Sequence, residues 1–546
     1  MEENNKFRKI INSIKNSFLN KNNHPLFLFL TIYTAVLMPL CFINNDYFNL
    51  LSAFHIDSGS IIASIFTIMN KDIFYNQNMG YHTSYYGFPY NSLIFSIFVL
   101  LRKIFNLSVV DNFSIFALSA RLISFFISIF TICLTYLLGI KILKNKVFGF
   151  LVVFFLALYP GFSFYSSLIK PDILALLFLT ISFLQIYNYF NLTKPHYYIR
   201  AIVFAALATF TKQQYIFVGL PLVLAYYIKE KDNKINFTKI KSFFILYLRA
   251  TLIIIPLFFI IHPFAFINFS YLLDRQRELT GMTLAPIIEN FNFWKTLYIR
   301  YPITLLGFFT ILGTTTTYFF ERKKDVTKSV VFLFSVFSLL YIIWLTLFVG
   351  PIRSNAYLLP IFSFITINVI HVFSKLLFIY KNKNKKLILI FKALVIFIFF
   401  TTFFVSFKNT LSDTIMGIKG FYDFKRSFQV HAVKDFMSIP PISKKFSKSK
   451  IIFTASLPFP QYKFKEAKNI WQFNFGKTFV KEVLLFNPDI IAVDTIQYYE
   501  QGYVWWKETA LKLGFDKKRI YLKNKIIEES EFKKNQTKSV IVIFYK

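Results

Sequence analysis

The sequence contains none of the short motifs that bind nucleotides or activate a serine nucleophile. It has no P-loop, no GxGxxG stretch, no serine elbow and no zinc motif. A reaction driven by ATP or by a nucleotide sugar needs a phosphate-binding loop on the side where the nucleotide is found. The sequence therefore disfavours both kinds of donor.

Cysteine is scarce, with two residues in 546. Cys41 and Cys133 both lie in apolar runs, so they say nothing about the redox compartment. No pair of residues has the spacing of metal ligands. The cofactors are unknown at this point, and a divalent metal stays open.

Acidic residues are also few: 27 Asp and Glu stand against 62 Lys and Arg, which gives a formal net charge of +35. An excess of this size can indicate a nucleic-acid partner. Here many of the basic residues sit in short clusters between apolar runs, as positive-inside anchoring requires. We therefore expect membrane lipids and no nucleic acid as partners.

Apolar residues are abundant: they make up 55% of the chain and include 74 phenylalanines. Many windows of 18 or more residues lack charge, which is long enough to cross roughly 30 Å of hydrocarbon. The fold predicted is an all-α polytopic membrane domain of about eleven transmembrane helices plus interfacial helices, followed by a soluble α/β domain. The spans are predicted at about 25–45, 116–140, 147–168, 173–190, 198–212, 214–229, 243–262, 301–320, 329–349, 356–376 and 387–407.

The basic linkers predict a single orientation. If the N-terminus starts inside, five linkers all fall inside, namely 141–146, 193–200, 229–241, 321–325 and 381–386. Counting 90–105 as a span would reverse all five, so we predict an interfacial helix there. The protein is then integral to the cytoplasmic membrane, and the loop from about 46 to 115 lies outside.

Three domains follow from this pattern. Residues 1–24 form a cytoplasmic leader, 25–407 the transmembrane domain, and 408–546 an exoplasmic α/β domain. Beyond about 408 the hydropathy drops, and short β-branched runs alternate with helical periodicity. The segments that carry this signal are "KIIFTASLPFP", "GKTFVKEVLLFNPDIIAVDTIQ" and "TKSVIVIFYK".

Asp57 is the first candidate catalytic residue, because it follows the first span in a predicted outer loop. It could simply cap a helix that starts at Ser58 or Ser60, since aspartate is a favoured N-cap. A carboxylate flanked by Phe54 and Ile56 at the membrane face could also accept a proton. The two roles are compatible.

Further charges lie where the predicted spans meet the outer face. Lys170 and Asp172 flank a proline, and an exposed ion pair in a simple turn is the plainer interpretation of them. Lys212 ends an apolar run, where a snorkelling lysine is the plainer interpretation. Arg353 and Arg275 depart from the positive-inside bias, and an anionic ligand outside would explain them.

Two histidines and one more arginine lie in the same outer loops. His55 and His82 are more simply polar loop residues, and Arg277 repeats the pattern of Arg275. The outer face thus offers a carboxylate base and several cations beside hydrocarbon. That combination favours a reaction whose donor is a lipid phosphate.

The order of these motifs resembles the GT-C superfamily of integral-membrane glycosyltransferases, in particular the branch of protein O-mannosyltransferases and lipid A aminoarabinose transferases. The resemblance covers roughly residues 25–376. It rests on "HIDSGSIIASIF", "YYGFPYNSLIFSIFVLLRKIFN", "SARLISFFISIFTICLTYLLGIKILKNK", "KPD", "FTKQQ" and "RSNAYLLP". Many members carry a paired acid at the first motif, whereas here Asp57 is followed by Ser58. A metal held by paired acids is therefore not indicated.

The resemblance implies transfer of a sugar from a polyprenyl phosphate with inversion, to a lipid or cell-surface glycan acceptor. It implies Asp57 as general base and Asp172 as a second acidic residue. Lys212 and Arg353, with Lys170 and Arg275, become candidates for binding the donor phosphate.

Two alternatives stay open, a protein acceptor and a non-enzymatic transporter or flippase of lipid-linked glycans. A transporter should carry polar residues at the centre of several spans, and these spans are nearly uncharged there. A polysaccharide polymerase is disfavoured, because the acidic motif comes in the first outer loop and the soluble domain is terminal.

Overall fold

The structure is a computed structural model. It describes residues 24–46, 50–51, 58, 61–62, 65, 88–107, 112–229, 237–261, 287–320, 325–348, 358–378, 385–424, 427–439, 445–454, 457–460, 463–469, 479–494, 503–522, 525–528 and 540–546. These residues fall into two compact units. The first lies within Met1–Cys41, Tyr81–Ile97 and Ala120–Ile418, and the second within Phe42–Gly80, Phe98–Ser119 and Lys419–Lys546.

Helices dominate the described chain before residue 424, as expected where a backbone must satisfy its hydrogen bonds without water. They are α1 (His24–Leu37), α2 (Phe88–Phe105), α3 (Phe113–Leu143), α4 (Lys146–Leu158), α5 (Pro160–Tyr165), α6 (Asp172–Leu192), α7 (Pro195–Thr211), α8 (Gly219–Lys229), α9 (Phe237–Ile261), α10 (Ile287–Arg300), α11 (Pro302–Phe320), α12 (Val326–Phe348), α13 (Leu359–Phe378) and α14 (Lys385–Asp423). Short 3₁₀ turns cover Met38–Phe42 and Gln213–Val218.

Seven helices within the described residues are long and apolar enough to cross a membrane. The number rises to eight if α10 and α11, which meet at a bend of 109°, count as one span. The prediction of a polytopic, mostly helical chain is thus confirmed, and the number of eleven spans stays a prediction. Helix α2 is not among the seven, and its interfacial position also stays a prediction.

Some of the predicted spans form shorter helices in the structure, and specific residues separate these helices. The span expected at 147–168 breaks after Tyr159, where Pro160 begins α5 and cannot donate a backbone hydrogen bond. The spans expected at 198–212 and 214–229 become α7, a 3₁₀ turn and α8. Lys212 adopts an extended backbone between them, with φ −154° and ψ 115°.

A six-stranded mixed sheet lies in the C-terminal part of the chain. Its strands are β1 (Lys450–Phe453), β2 (Glu466–Asn469), β3 (Ile490–Asp494), β4 (Lys517–Leu522), β5 (Lys525–Ile527) and β6 (Val540–Tyr545), in the order β2-β1-β3-β6-β4-β5. The pairs β1–β2 and β1–β3 are parallel and the other three are antiparallel. The three segments that predicted an α/β pattern supply β1, β3 and β6, so the expected sheet region is confirmed.

Among the described residues of this region, three helices accompany the sheet: α15 (Phe428–Met437), α16 (Phe479–Phe486) and α17 (Tyr503–Lys512). Every residue of β3 is buried, as expected of a strand covered on both faces. Asp435 of α15 accepts hydrogen bonds from Arg519 at 2.9 Å and from the Tyr521 hydroxyl at 2.8 Å. Burial and the bond to Asp435 hold the pKa of the Tyr521 phenol above its ordinary value.

The domain boundary predicted near 408 falls inside a helix. Helix α14 continues without a break to Asp423, and the first strand begins only at Lys450. The boundaries of the three predicted domains, and the exoplasmic position of the last one, stay predictions.

Candidate active site

Asp172 begins α6 directly after the turn that contains Lys170 and Pro171. Pro171 is the N-cap residue, and its carbonyl oxygen accepts a hydrogen bond from the Ala175 amide at 3.0 Å. The Asp172 carboxylate therefore lies in the first turn of a helix, where the helix dipole stabilises negative charge.

Lys212 lies at the opposite end of a neighbouring helix. Helix α7 ends at Thr211, and Lys212 leaves the helical conformation before the 3₁₀ turn begins. Its amide donates to Ala208 O at 2.8 Å, and its carbonyl accepts from the Tyr215 amide at 3.0 Å. Because α6 and α7 pack against each other, the end of one meets the start of the other.

The two motifs meet through an ion pair between Lys212 Nζ and Asp172 Oδ1. The Asp172 side chain is 3% exposed and that of Lys212 is 19% exposed. The expectation of an exposed Lys170–Asp172 pair is therefore wrong. Asp172 is buried and pairs with a residue 40 positions away, so Lys212 also does more than snorkel.

The second carboxylate oxygen of Asp172, Oδ2, is buried and has no hydrogen-bond partner among the described residues. Two polar atoms close to Lys212 in the sequence, the Tyr215 hydroxyl and Gln214 Nε2, are also buried and have no hydrogen-bond partner among the described residues. The Tyr215 hydroxyl also lies within electrostatic reach of Asp172. Buried polar groups without partners are costly, so a ligand that forms hydrogen bonds with these atoms would recover that cost.

Lys170 is the third charged residue of the predicted site that the structure describes. It is 6% exposed, and its ammonium lies 5.0 Å from the centroid of the Tyr165 ring. A cation over an aromatic face is stabilised by the quadrupole of the ring. Lys170 is thus held in a cation–π contact at the same turn as Asp172.

Arg121 is a buried cation in the "SARLIS" segment and is not among the predicted site residues. It is fully buried in α3. Its Nε donates to Ser167 O and its Nη2 to Leu40 O, each at 2.6 Å. It therefore fastens the segment just before Lys170 to the end of the first span. The available signal was an arginine far inside a helix whose other charged residue, Lys141, lies in the last turn, since such residues are rare in spans.

A second pair of a carboxylate and a cation, which the sequence did not predict, lies at the bend between α10 and α11. Arg300 Nε donates to Asp413 Oδ2 at 2.8 Å, and Arg300 Nη2 contacts Asp413 Oδ1. The Tyr301 hydroxyl donates to the same carboxylate. Asn409 Nδ2 donates to Arg300 O at 2.6 Å. This cluster joins the bent helices to α14.

The other predicted site residues, Asp57, Arg353 and Arg275, lie outside the described residues, as do His55, His82 and Arg277. Their roles stay predictions. Ser58, which follows Asp57, is helical and fully buried. Within the described ranges, no three side chains of His, Cys, Asp or Glu come together as a metal ion would require.

A family model described as dolichyl-phosphate-mannose-protein mannosyltransferase matches residues 97–262. The matched segment contains Arg121, Lys170, Asp172 and Lys212. The predicted resemblance to the GT-C glycosyltransferases is thereby confirmed. With seven apolar helices among the described residues long enough to span a bilayer, the chain is similar to membrane glycosyltransferases.

Among the solved structures that are similar is the oligosaccharyltransferase of Archaeoglobus fulgidus in complex with zinc and sulfate. The match between the two chains has a TM-score of 0.43 and 12% sequence identity, and it covers 84% of this chain and 67% of the oligosaccharyltransferase chain. At so low a TM-score the likeness supports no further statement. No curated protein matches the chain.

Proposed function

We propose that this protein transfers a sugar from a polyprenyl-phosphate donor to an extracytoplasmic acceptor, a lipid or cell-surface glycan, with inversion at the anomeric carbon. The matching family is described by a lipid-phosphate sugar, dolichyl-phosphate-mannose, which supports a donor of this class. The observation that carries the proposal is the buried Asp172–Lys212 pair within the matched segment, with one carboxylate oxygen left for a ligand.

In the proposed reaction, Asp57 takes the proton of the acceptor hydroxyl as that oxygen attacks the anomeric carbon. The bond from this carbon to the phosphate oxygen breaks, and the lipid phosphate leaves with the electron pair. General-base catalysis of this kind contributes about 10²–10⁴-fold.

The cations act on the leaving phosphate. An ammonium has three N–H donors, and Lys212 uses one on Asp172, which leaves two for phosphate oxygens. Lys170 lies at the same turn as Asp172, and Arg353 and Arg275 are proposed to complete this group. Asp172 keeps Lys212 in position and offers Oδ2 to a sugar or acceptor hydroxyl.

The proposed membrane orientation puts this chemistry on the outer face of the cytoplasmic membrane. It follows from the five basic linkers, which prefer the inside. Under that orientation the turn at Lys170 and the turn at Lys212 both face outward, as a lipid-borne donor in the outer leaflet requires.

A second candidate is a protein O-glycosyltransferase, favoured by the word "protein" in the description of the family. The two candidates share donor and chemistry and differ only in the acceptor. Supplying the purified protein with either a lipid-linked glycan or hydroxyl-bearing peptides distinguishes them.

The deciding experiment follows labelled sugar from a polyprenyl-phosphate donor to acceptor. Asp57→Asn keeps an oxygen that can cap a helix but cannot take a proton, so turnover should fall by about 10²–10⁴-fold with folding intact. Arg353→Ala should weaken donor affinity. Near-normal turnover in Asp57→Asn would return that residue to a capping role.

The transporter alternative has its own outcome in the same assay. Wild-type protein in proteoliposomes that moves the lipid-linked sugar across the bilayer, yet transfers it to neither acceptor, would refute the proposed transferase. The matched control is Asp413→Asn, which alters a carboxylate that is already paired with Arg300 and Tyr301 and should keep transfer activity.

A further inference from the structure

Helix α9 carries an arginine at its centre. The helix runs from Phe237 to Ile261, and Arg249 is its middle residue. Residues Lys239–Ile261 are long and apolar enough to cross a membrane. Arg249 is exposed, and the sequence of α9 contains no acidic residue that could pair with it. A positive charge is therefore exposed halfway along an apolar helix.

One side of α9 is covered by α7, and Arg249 lies on the other side. The two helices pack together. Their ring centroids are 4.9 Å apart for Phe258 and Phe210, and 6.4 Å apart for Tyr247 and Tyr198. Successive residues of an α-helix are about 100° apart around its axis. Arg249 is therefore on the face opposite Phe258 and Tyr247, away from α7.

The neighbours of Arg249 on this face are apolar. Ile245 and Ile253 lie about one turn before and after it, Leu252 lies beside them, and all three are exposed. Arg121 inside α3 differs, because it is buried and donates to two backbone carbonyls. A charge inside a membrane is costly unless it is paired. An anion from outside α9 would offset this cost at Arg249.

The depth of Arg249 decides which anion fits. The hydrocarbon layer is about 30 Å thick, so the centre of a spanning helix lies roughly 15 Å from the lipid phosphates on either side. A carboxylate on another transmembrane helix can lie at this depth, where charged side chains pair with one another. A symmetric contact between two copies of α9 would instead bring two Arg249 side chains together. The complementary partner is thus a helix of a different protein.

We propose that the exposed face of α9 docks a transmembrane helix of another protein, whose aspartate or glutamate side chain pairs with Arg249 inside the membrane. Ile245, Leu252 and Ile253 would pack against the apolar residues of this helix, while the charge pair fixes its depth. The proposal concerns assembly with a partner and does not depend on sugar transfer.

The first test uses synthetic transmembrane peptides as the partner. Purified full-length protein in phosphatidylcholine vesicles is titrated against a fluorescent, leucine-rich peptide with one glutamate at its centre, and the anisotropy of the peptide reports binding. This peptide should bind about tenfold or more tightly than one with a central glutamine, as expected for a charged hydrogen bond. Equal affinity for the two peptides would overturn the proposal.

Two further measurements separate the proposed partner from the membrane surface. A peptide with its glutamate at one end of the span should bind no better than the glutamine peptide. Equal binding of the end-glutamate and central-glutamate peptides would mean that Arg249 snorkels to the headgroups. Displacement of the central-glutamate peptide by phosphatidylglycerol, with no effect of extra phosphatidylcholine, would assign the anion to a lipid and overturn the helix partner.

Variants of the protein test the residue. Arg249→Leu should fold, because its side chain is exposed on an apolar face, and it should remove the preference for glutamate over glutamine. Lys241→Leu is the matched control, since Lys241 is an exposed cation two turns earlier on the same side of α9. A preserved preference in folded Arg249→Leu, or an equal loss in Lys241→Leu, would refute the assignment to Arg249.

Charge exchange gives the same pair in reverse. Arg249→Glu should lose the central-glutamate peptide and gain a preference for a peptide with a central lysine over the glutamine peptide. General damage to α9 would weaken binding of every peptide and would not create this preference. Folded Arg249→Glu protein without a preference for the lysine peptide would contradict direct pairing at this position.

Discussion

Two carboxylates in the helical part of the chain bind a cation from a distant segment, but their surroundings differ. Asp172 pairs with Lys212 through one oxygen, and its side chain is 3% exposed. Both carboxylate oxygens of Asp413 accept hydrogen bonds from Arg300, and the Tyr301 hydroxyl donates to the same carboxylate. The Arg300 side chain is 47% exposed. The first pair is buried and half satisfied, and the second is more open and fully satisfied.

This difference distinguishes a candidate ligand-binding pair from a pair that fixes the geometry of a helix bend. A satisfied pair at a helix bend has its hydrogen-bonding capacity filled by the protein, so it fixes geometry. A buried oxygen without a hydrogen-bond partner lowers the stability of the protein, and a ligand that donates a hydrogen bond to this oxygen offsets that cost. We therefore expect substitutions at the Asp172–Lys212 pair to affect both stability and activity, and those at Asp413 mainly local structure.

The largest expected effect is on stability. Lys212→Met leaves the Asp172 carboxylate buried without a cation, which should lower the free energy of unfolding by about 3–5 kcal/mol. Arg300→Met leaves Asp413 with the Tyr301 hydrogen bond, and a loss of about 1–3 kcal/mol is expected. Reversible unfolding in mixed micelles measures both.

The double variant Lys212→Met with Asp172→Asn is the control for this comparison. It removes the stranded charge, so it should recover part of the lost stability. Equal losses in Lys212→Met and Arg300→Met, with no recovery in the double variant, would contradict the difference in burial as the cause.

The next effect is on activity. Asp172→Asn keeps the shape of the side chain but weakens its hold on Lys212 and its ability to bind a hydroxyl at Oδ2. We expect kcat/KM for sugar transfer to fall by about 10²–10³-fold, the range for losing one preorganised polar group. Asp413→Asn should change it by less than about tenfold.

Steady-state transfer assays on the two variants, each checked for its unfolding temperature, make this measurement. A folded Asp172→Asn protein with normal kcat/KM would remove Asp172 from the proposed site. A large loss in Asp413→Asn at an unchanged unfolding temperature would mean that the bend near Arg300 is itself part of the active site.

The smallest effect concerns salt. Raising the NaCl concentration from about 0.1 to about 1 M shortens the Debye length from roughly 10 to 3 Å and screens exposed pairs more than buried ones. The Arg300–Asp413 pair should lose a few tenths of a kcal/mol, within the range of exposed ion pairs. The salt-dependent part of the unfolding temperature should therefore shrink in Asp413→Asn and persist in Asp172→Asn. The reverse pattern would mean that Asp172 is the more accessible carboxylate.

Much of the architecture could be predicted because its signals are local. The long apolar runs predicted spanning helices, and the segments that contain β1, β3 and β6 predicted a terminal sheet. The interruption at Lys212 was predicted, because separate spans were expected at 198–212 and 214–229. The break at Tyr159 was not foreseen, because its flanking residues are as apolar as an unbroken span and hydropathy does not report it.

The candidate site was predicted only in part. Asp172 and Lys212 were predicted as separate candidates. For Asp172 the plainer interpretation was an exposed ion pair, and for Lys212 it was a snorkelling side chain. Arg121 was predicted only to be part of a motif. Their shared feature is that their partners or neighbours come from other helices, which a single sequence does not reveal.

Composition, the lengths of the apolar runs and the order of the motifs were enough to predict a polytopic membrane protein that resembles glycosyltransferases, since none of these signals depends on packing. The packing of the helices was needed to establish that Asp172 pairs with Lys212 and keeps one oxygen without a partner among the described residues. It also decided that Asp413 is fully satisfied, 113 residues from Arg300. The physical reason is that helix packing determines which side chains meet, and burial then sets what each contact contributes.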